Sequence, residues 1–193
     1  MNICVYGGSS VALDKKYIEA AEELGEKMAL RGHDLVYGAG ASGMMGATER
    51  GVKKGGGKVV GVSPRFFNVD GVLCDNCDEI IYTDTMRERK QIMEDRSDAF
   101  IAVPGGVGTF EELFEIATLK QLGRHSKPVA VLNIDGYYDD VKNLFKKAVK
   151  ENFMTEGCLE LMAFYDNADD ILDYIEGYKS EEIDLKSFKN IWK

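Results

Sequence analysis

A predicted buried strand and a predicted helix are joined by the sequence Pro104-Gly105-Gly106-Val107-Gly108-Thr109-Phe110-Glu111-Glu112. The preceding residues, 99–103, form an uninterrupted apolar run that is typical of a parallel strand covered on both faces. The following residues, 110–122, place their apolar side chains close to one face of a helix. Glycines allow backbone N–H groups to approach a ligand closely, and a helix amino-terminus favours negative charge. We therefore predict a phosphate-binding turn with the Glu112 carboxylate one turn inside the helix.

The same residues allow a second interpretation, in which Thr109 and Glu112 form a capping box that satisfies the first N–H groups of the helix. Acidic residues in a first helical turn are also favoured by the helix dipole. Three glycines within four residues favour the binding turn, since a cap does not need such a run. A glutamate is repelled by a bound phosphate, so we expect Glu112 to act on a different part of the ligand.

Apolar strand-like segments and helical segments alternate along the chain. Strands are predicted at residues 3–6, 35–37, 59–62, 79–82, 99–103, 129–132 and 160–165. Helices are predicted at residues 17–30, from Gly46 to about residue 54, and at 86–96, 110–122, 138–151 and 170–175. This alternation predicts an α/β fold with a doubly wound, mostly parallel central sheet and helices on both faces.

A single nucleotide-binding domain is predicted over residues 1–178, because no internal repeat and no long polar linker divides the chain. The tail, residues 179–193, is charged but is too apolar for a solvated segment. Its large apolar residues are Ile183, Leu185, Phe188, Ile191 and Trp192. We expect the tail to dock either on its own domain or on a second subunit.

The composition excludes several classes of protein. A formal net charge of -9 argues against broad binding to nucleic acids or to anionic membranes. No apolar run approaches the ~20 residues that a membrane-spanning helix needs. A strand is predicted almost at the amino-terminus, so we expect no secretory signal and a cytoplasmic location. Of Cys4, Cys74, Cys77 and Cys158, only Cys74 and Cys77 are close in sequence, which is a weak zinc pattern, and we expect structural or incidental thiols.

Two more glycine turns are predicted at the carboxyl ends of strands, where parallel sheets bind their ligands. One is Gly7-Gly8. The other, Gly38-Ala39-Gly40-Ala41-Ser42-Gly43, matches GxGxxG, so an NADP-dependent oxidoreductase is an alternative, with Arg65 suited to a 2′-phosphate. Against it, this run follows the second strand, and the acid expected about 20 residues later is missing. Tight packing of a strand against a helix is a further interpretation of the same glycines.

The sequence Met86-Arg87-Glu88-Arg89-Lys90 opens a predicted helix with three cations in four residues. Such a run is common on a solvated face. Alternatively, one guanidinium points inward to a phosphate or carboxylate, which its planar fork fits. His33 and His125 follow predicted helix ends, and we expect both to be surface or capping residues.

Together, residues 86–90 and the PGGxGTxxE motif of residues 104–112 resemble the signatures of the Lonely Guy family of cytokinin-activating phosphoribohydrolases. The order of elements is similar from residue 3 to about residue 175, including Asn133-Ile134-Asp135-Gly136-Tyr137-Tyr138. The resemblance implies a Rossmann-like homodimer that hydrolyses the N-glycosidic bond of a nucleoside 5′-monophosphate. The substrates implied are cytokinin riboside monophosphates, AMP, or both, and the products are a free base and ribose 5-phosphate. Family members were long labelled lysine decarboxylases, but no lysine here is evidently set up as an anchor for pyridoxal phosphate.

The resemblance also implies roles for individual residues. Arg89 and Glu112 match the catalytic pair. The positions that match substrate contacts are Lys90, Gly105, Gly106, Val107, Gly108, Thr109, Glu111 and Thr118. The predicted substrate-binding set is completed by residues of the glycine turns and of the second motif, namely Gly8, Ser9, Gly43 and Met86.

On this hypothesis, the 5′-phosphate binds the N–H groups of residues 105–109, helped by Gly43 and by the Thr109 hydroxyl. Breaking the C1′–N9 bond builds oxocarbenium-like positive charge on the ribose. Glu112 stabilises that charge and positions or deprotonates the attacking water, while Arg89 holds Glu112 and the ribose in place. No metal and no redox cofactor is expected. The main alternative is a non-catalytic nucleotide-binding or sensor module built on the same turn.

Overall fold

The computed structural model describes residues 1–69 and 71–180. The strands of this part of the chain are β1 (Asn2–Tyr6), β2 (Asp34–Tyr37), β3 (Val59–Pro64), β4 (Glu79–Thr83), β5 (Ala99–Ala102), β6 (Val129–Leu132) and β7 (Ala163–Tyr165). Its α-helices are α1 (Lys15–Leu30), α2 (Gly43–Lys54), α3 (Met86–Asp95), α4 (Val107–Gln121), α5 (Asp139–Lys150) and α6 (Ala168–Gly177). Short 3₁₀ helices lie at Arg65–Phe67, Ile134–Gly136 and Glu156–Glu160.

The strands form one parallel sheet in the order β4-β3-β2-β1-β5-β6-β7. The strand order reverses between β1 and β5, which is the switch point where open parallel sheets bind ligands. The turns that follow these two strands are neighbours, and the Gly8 N–H donates to the Pro104 carbonyl oxygen across 3.1 Å. The predicted doubly wound sheet is confirmed, and the turn before α4 lies at its switch point.

Helices cover both faces of the sheet, because successive side chains of a strand point to opposite faces. Ile3 and Val5 of β1 belong to a core cluster with α1, α2 and α6. Cys4 and Tyr6 of the same strand belong to a second cluster with α3, α4 and α5. Both faces of β1 are buried, which explains why its sequence lacks polar alternation.

The difference from the predicted elements that matters most for the site concerns α4, which begins at Val107, three residues earlier than expected. Its N-cap residue is Gly106, and no side chain caps it. Thr109 is therefore the third residue of the helix and Glu112 the sixth, so the capping-box interpretation is wrong. The last strand also differs, since β7 covers only three residues and a 3₁₀ helix occupies Glu156–Glu160.

Both histidines were expected to be surface or capping residues, and the surface interpretation is wrong because both are buried. His33 is 6% exposed, and its Nε2 lies 2.8 Å from Glu176 Oε1, which links the end of α1 to α6. His125 is 9% exposed, and its Nε2 lies 2.9 Å from the Ile116 carbonyl oxygen. Burial lowers the pKa of His125, so the neutral ring donates this hydrogen bond.

Cys74 and Cys77 are joined in a disulfide, so the expectation of thiols is wrong for this pair. Cys4 and Cys158 are free and buried. Within residues 1–69 and 71–180, every helix is too short or too polar to cross a membrane. The tail was predicted over residues 179–193, and all of it beyond Ser180, including every apolar residue named for its docking, lies outside the described residues.

Candidate active site

The amino-terminus of α4 carries N–H groups without acceptors. The first hydrogen bond of the helix joins the Phe110 N–H to the Gly106 carbonyl oxygen at 3.0 Å. In the described part of the chain, the N–H groups of Gly106, Val107, Gly108 and Thr109 make no hydrogen bond, as a first helical turn requires. A Cβ built on Gly106 or Gly108 meets no atom within 4 Å. Open amides at the positive end of a helix dipole suit an anion.

The predicted catalytic residues, Arg89 and Glu112, form a buried ion pair. Arg89 Nη1 donates to Glu112 Oε1 across 3.0 Å, and the two residues are 7% and 8% exposed. Arg89 Nε donates to the Val62 carbonyl oxygen of β3 at 3.1 Å. A Cβ on Gly38 would overlap Arg89 Nη2, so a glycine at the end of β2 makes room for the guanidinium.

Two side-chain hydrogen bonds at the start of α3, similar to a capping box, fix the direction of Arg89. The Glu88 N–H donates to the Thr85 hydroxyl at 3.1 Å, and the Asp84 N–H donates to Glu88 Oε2 at 2.9 Å. This reciprocal arrangement sets where the helix begins. The residue that follows Glu88 then faces the sheet, so the Met86 motif is not simply a solvated face.

Burial raises the pKa of the Glu112 carboxyl above its ordinary value, because removal from water disfavours the charged form. The Arg89 guanidinium acts in the opposite direction, and its effect is smaller. A carboxylate with a raised pKa is a stronger base than an exposed one. Such a group beside an anion-binding turn can accept a proton from water.

A mostly apolar cavity of about 290 Å³ opens beside Arg89. Its walls come from the turn after β1, from α2 and from the segment after β3, and include Ser9, Met45, Phe67, Val72 and Leu73. A bridge between Gly40 and Leu73 holds that segment against the turn after β2. Apolar walls with few polar groups suit a flat heterocycle. Of the predicted binding residues, Ser9 lies in this cavity.

Lys90 lines a different cavity, although it follows Arg89 directly. Its Nζ forms ion pairs with Glu111 and, at 2.8 Å, with Glu115. These residues belong to a groove of about 850 Å³ between α3 and α4, whose lining side chains are mainly charged. Within one chain, Lys90 and Glu111 are therefore close to each other but not in the cavity beside Arg89.

Two further predicted contact residues lie apart from this cavity. Thr118 is exposed on α4, six residues beyond Glu112, and lines an apolar groove against α5. Met86 is the first residue of α3, one turn before Arg89, and is half-buried. The structure of one chain brings Met86 close to Arg89 along the helix but does not bring Thr118 to Glu112.

The amino-terminus of α2 differs from that of α4 because a backbone oxygen already occupies it. The Met44 N–H donates to the Gly8 carbonyl oxygen at 2.8 Å, and the Met45 N–H lies 3.4 Å from the same atom. Gly43 has φ of 62°, and a Cβ there would lie 2.5 Å from the Gly8 oxygen. The Gly8 N–H is bonded to the Pro104 carbonyl oxygen, so the predicted contact of Gly8 to a phosphate has no free backbone amide of that residue to make it.

The described residues provide limited means to hold a cofactor. In residues 1–69 and 71–180, no three His, Cys, Asp or Glu side chains are grouped so that they could bind a metal ion. A dinucleotide on the GxGxxG run needs the α2 amino-terminus for its pyrophosphate, and the Gly8 carbonyl oxygen already accepts the Met44 and Met45 N–H groups there. The geometry therefore does not favour the oxidoreductase alternative.

Two tyrosines that sequence reasoning did not select hold the turn before α4. The Tyr137 hydroxyl donates to the Gly105 carbonyl oxygen at 2.6 Å, and the Tyr138 hydroxyl donates to the Val103 carbonyl oxygen at 2.8 Å. Both residues follow β6, which pairs with β5. The loop after β6 and the turn after β5 lie at the same edge of the sheet, because the two strands are neighbours. That proximity is the signal that would have identified the two tyrosines.

The family model described as "Possible lysine decarboxylase" matches residues 45–175. Cytokinin riboside 5′-monophosphate phosphoribohydrolase LOG2 of Arabidopsis thaliana is 40% identical over 190 residues, which cover 98% of this chain and 89% of that protein. The probable cytokinin riboside 5′-monophosphate phosphoribohydrolase LOGL5 of Oryza sativa subsp. japonica is 41% identical over 191 residues, which cover 99% and 78%.

Solved structures with lower identity share the fold. The Moco carrier protein from Chlamydomonas reinhardtii superposes with a TM-score of 0.69 at 24% identity, covering 91% of this chain and 94% of that one. The protein TM1055 superposes with a TM-score of 0.71 at 20% identity, covering 92% and 99%. These likenesses support the Rossmann-like arrangement of the sheet and helices.

Proposed function

This chain belongs to the Lonely Guy family, and we propose that it hydrolyses the N-glycosidic bond of a nucleoside 5′-monophosphate. The substrate class is a cytokinin riboside 5′-monophosphate, AMP, or both, and the products are the free base and ribose 5-phosphate. One observation carries the proposal: Glu112, which is buried and paired with Arg89 of α3, lies on α4, and the first N–H groups of α4 are open.

The proposal assigns the 5′-phosphate to the amino-terminus of α4. The amides of Gly106, Val107, Gly108 and Thr109 and the helix dipole favour its negative charge. Glu112 lies five residues after Val107, roughly 7.5 Å along the helix axis. The Glu112 carboxylate is therefore set back from the phosphate, on the side of the ligand where the proposal places C1′.

Hydrolysis then proceeds with Glu112 as base. The C1′–N9 bond breaks, its electron pair remains on the nucleobase, which takes up one proton and leaves as the neutral purine, and positive charge develops on the ribose. The Glu112 carboxylate stabilises this charge and accepts a proton from the water that adds to C1′. Arg89 keeps Glu112 oriented through the 3.0 Å contact and is itself anchored on the Val62 carbonyl.

The proposal assigns the nucleobase of the substrate to the apolar cavity beside Arg89. Met45, Phe67, Val72 and Leu73 supply apolar walls that a purine ring and an apolar substituent on it can contact. Phe67 and Val72 are both 42% exposed, so part of this wall is open to solvent until a ligand covers it. Burial of these side chains favours a substituted purine over unsubstituted adenine.

A homodimer is part of the proposal. Thr118 matches a substrate contact of the family, yet it is exposed and lies roughly 9 Å beyond Glu112 along α4. If a second copy packs on this helix, the exposed Thr118 of one copy can contact the substrate bound in the other copy. Sedimentation equilibrium tests the dimer, and a monomer at micromolar concentration would contradict it. The cytoplasmic location stays a prediction from the sequence.

The test is incubation with AMP and with isopentenyladenosine monophosphate, followed by chromatography of the released base and ribose 5-phosphate. We expect equal amounts of the two products from at least one substrate, and little base from the matching nucleosides, which lack the phosphate. Nucleotide binding without base release would instead indicate the non-catalytic sensor. Equal release from nucleosides would contradict the assignment of α4.

A further inference from the structure

Two consecutive tyrosines, Tyr137 and Tyr138, donate hydrogen bonds to the backbone carbonyls on either side of Pro104. The Tyr137 hydroxyl is bonded to the Gly105 oxygen at 2.6 Å, and the Tyr138 hydroxyl to the Val103 oxygen at 2.8 Å. The two bonds join the loop after β6 to the turn that leads into α4. Their environments differ, since Tyr138 is fully buried while Tyr137 is 42% exposed.

The Tyr138 contact is structural. Its hydroxyl supplies a partner to a buried backbone carbonyl at the end of β5, and an unpaired buried carbonyl is costly. Its ring packs edge-on against Phe110 and belongs to the core cluster of α3, α4 and α5.

The Tyr137 contact acts on a peptide that has more freedom. The Gly105–Gly106 peptide joins two glycines, which adopt many backbone conformations and hold no side chain to fix them. In a planar trans peptide, the carbonyl and the following N–H point in opposite directions. A hydrogen bond that holds the Gly105 oxygen toward Tyr137 therefore directs the Gly106 N–H the other way, and no described residue accepts a hydrogen bond from that N–H.

We propose that Tyr137 is a positioning residue for phosphate recognition, which fixes the Gly105–Gly106 peptide so that its N–H faces the bound anion. This inference rests on the proposed function, because it needs the 5′-phosphate at the amino-terminus of α4. It adds to that function a residue outside the two signature motifs, placed on a different strand-to-helix connection.

The loop that carries Tyr137 is rigid enough for this role. Asn133 Oδ1 accepts the Tyr138 N–H at 2.7 Å, and Asn133 Nδ2 donates to Asp139 Oδ1 at 2.9 Å. The Tyr137 ring packs edge-on against Tyr17 at 6.1 Å and against Tyr138 at 5.0 Å between ring centroids. The hydroxyl is thus presented to Gly105 by a ring that is held on two sides.

Tyr137→Phe removes the hydroxyl and keeps the ring. Since one net hydrogen bond is at stake, we expect the KM for the nucleoside monophosphate to rise about five- to tenfold, with kcat changed less than about twofold. A role limited to folding would lower the amount of active protein and leave KM unchanged. Tyr17→Phe is the matched control, because it removes a hydroxyl from the neighbouring ring and leaves the bond to Gly105 intact.

Equilibrium binding separates this proposal from the proposed function. In a Glu112→Gln background, which slows consumption of AMP, calorimetric titration with AMP and with adenosine measures the contribution of the phosphate. We expect Tyr137→Phe to weaken AMP binding about five- to tenfold and adenosine binding by less than about twofold, with no change for Tyr17→Phe. An unchanged ratio of the AMP and adenosine affinities, whether both ligands are weakened equally or neither is weakened, would overturn the role of Tyr137. If the parent protein binds AMP no better than adenosine, the assignment of α4, and with it the proposed function, is wrong.

Discussion

The helices α2 and α4 begin in the same way in the sequence and differently in the structure. Each follows a glycine turn at the carboxyl edge of the sheet, and neither is capped by a side chain. At α2, the Gly8 carbonyl oxygen accepts the Met44 N–H, so the protein itself supplies the negative partner of that helix end. At α4, the first amides have no partner in the described residues, and the space in front of Gly106 and Gly108 is open.

This contrast shows that a glycine turn before a helix is not by itself evidence of a ligand site. Gly43 is a glycine because its φ is 62° and because the Gly8 and Ser9 backbone leaves no room for a Cβ. Gly108 has ordinary helical surroundings and no close neighbour. The first glycine is required by packing, whereas the second is better explained by what the space in front of it must admit.

The largest expected effect is that of replacing Glu112, and the buried glutamate of the other helix, Glu49, allows a comparison. Glu112 is the sixth residue of α4 and Glu49 the seventh of α2, both are buried, and burial raises the pKa of both. Glu112→Gln is expected to lower kcat about 10²–10⁴-fold, since it removes the base and the charge that stabilises the ribose. Steady-state base release at saturating AMP measures this effect.

Glu49→Gln is the matched control for that variant. Glu49 lies on α2, where the Gly8 carbonyl oxygen already accepts the Met44 N–H. We therefore expect the Glu49→Gln substitution to change kcat by less than about twofold. Full activity in Glu112→Gln, or equal losses in both variants, would show that the difference between the two helices has no catalytic meaning.

The next effect concerns stability. Gly43→Ala places a side chain at positive φ against backbone atoms and is expected to lower the free energy of unfolding by about 1–3 kcal/mol or more. Gly56→Ala is its control, because Gly56 has φ of 81° but no atom within 4 Å of a built Cβ, so only the backbone strain remains. Urea unfolding compares the two, and an equal loss in both would mean that contact with Gly8 adds nothing.

A smaller effect of opposite sign is expected for Gly108→Ala. Alanine is favoured over glycine in a helix by about 0.5–1 kcal/mol, and nothing obstructs the added methyl group. In helices the Cβ points toward the amino-terminus, so the methyl enters the space assigned to the phosphate. We expect a higher melting temperature together with a KM for AMP raised about tenfold, which corresponds to about 1.4 kcal/mol. An unchanged KM would place the phosphate elsewhere.

The smallest effect is a shift in pH dependence. Glu112 acts as a base only when ionised, and burial raises its pKa, so kcat/KM is expected to fall on acidification at a pH above the ordinary glutamate value of about 4.3. A pH–rate profile on AMP measures this limb. A fall only at or below the ordinary value would indicate that another group limits the rate.

The sequence was sufficient for the sheet, because uninterrupted apolar runs such as residues 99–103 mark buried parallel strands. It also selected Arg89 and Glu112, and the structure joins them in an ion pair. The start of α4 was missed because Gly106 and Val107 carry no capping side chain, while Thr109 and Glu112 form a convincing but incorrect box. The use of the Gly8 oxygen by α2, and the burial of His33 against Glu176, depend on contacts between distant segments that local patterns do not contain.

The positions of Lys90 and Thr118 show a second limit of the sequence. Both match family contacts, yet in one chain Lys90 pairs with Glu111 and Glu115 in the groove between α3 and α4, and Thr118 is exposed. A motif indicates which residues act together but not which cavity each side chain faces. The rotation of α3 and α4 about their axes decides that, and a local pattern does not contain it.

The most direct test is a crystal structure of Glu112→Gln with AMP bound. The account predicts that phosphate oxygens lie within about 3 Å of the amide nitrogens at the start of α4, with C1′ beside the residue 112 side chain and the base in the cavity beside Arg89. A phosphate bound at the start of α2, or one that makes no contact with the amides of residues 106–109, would contradict it.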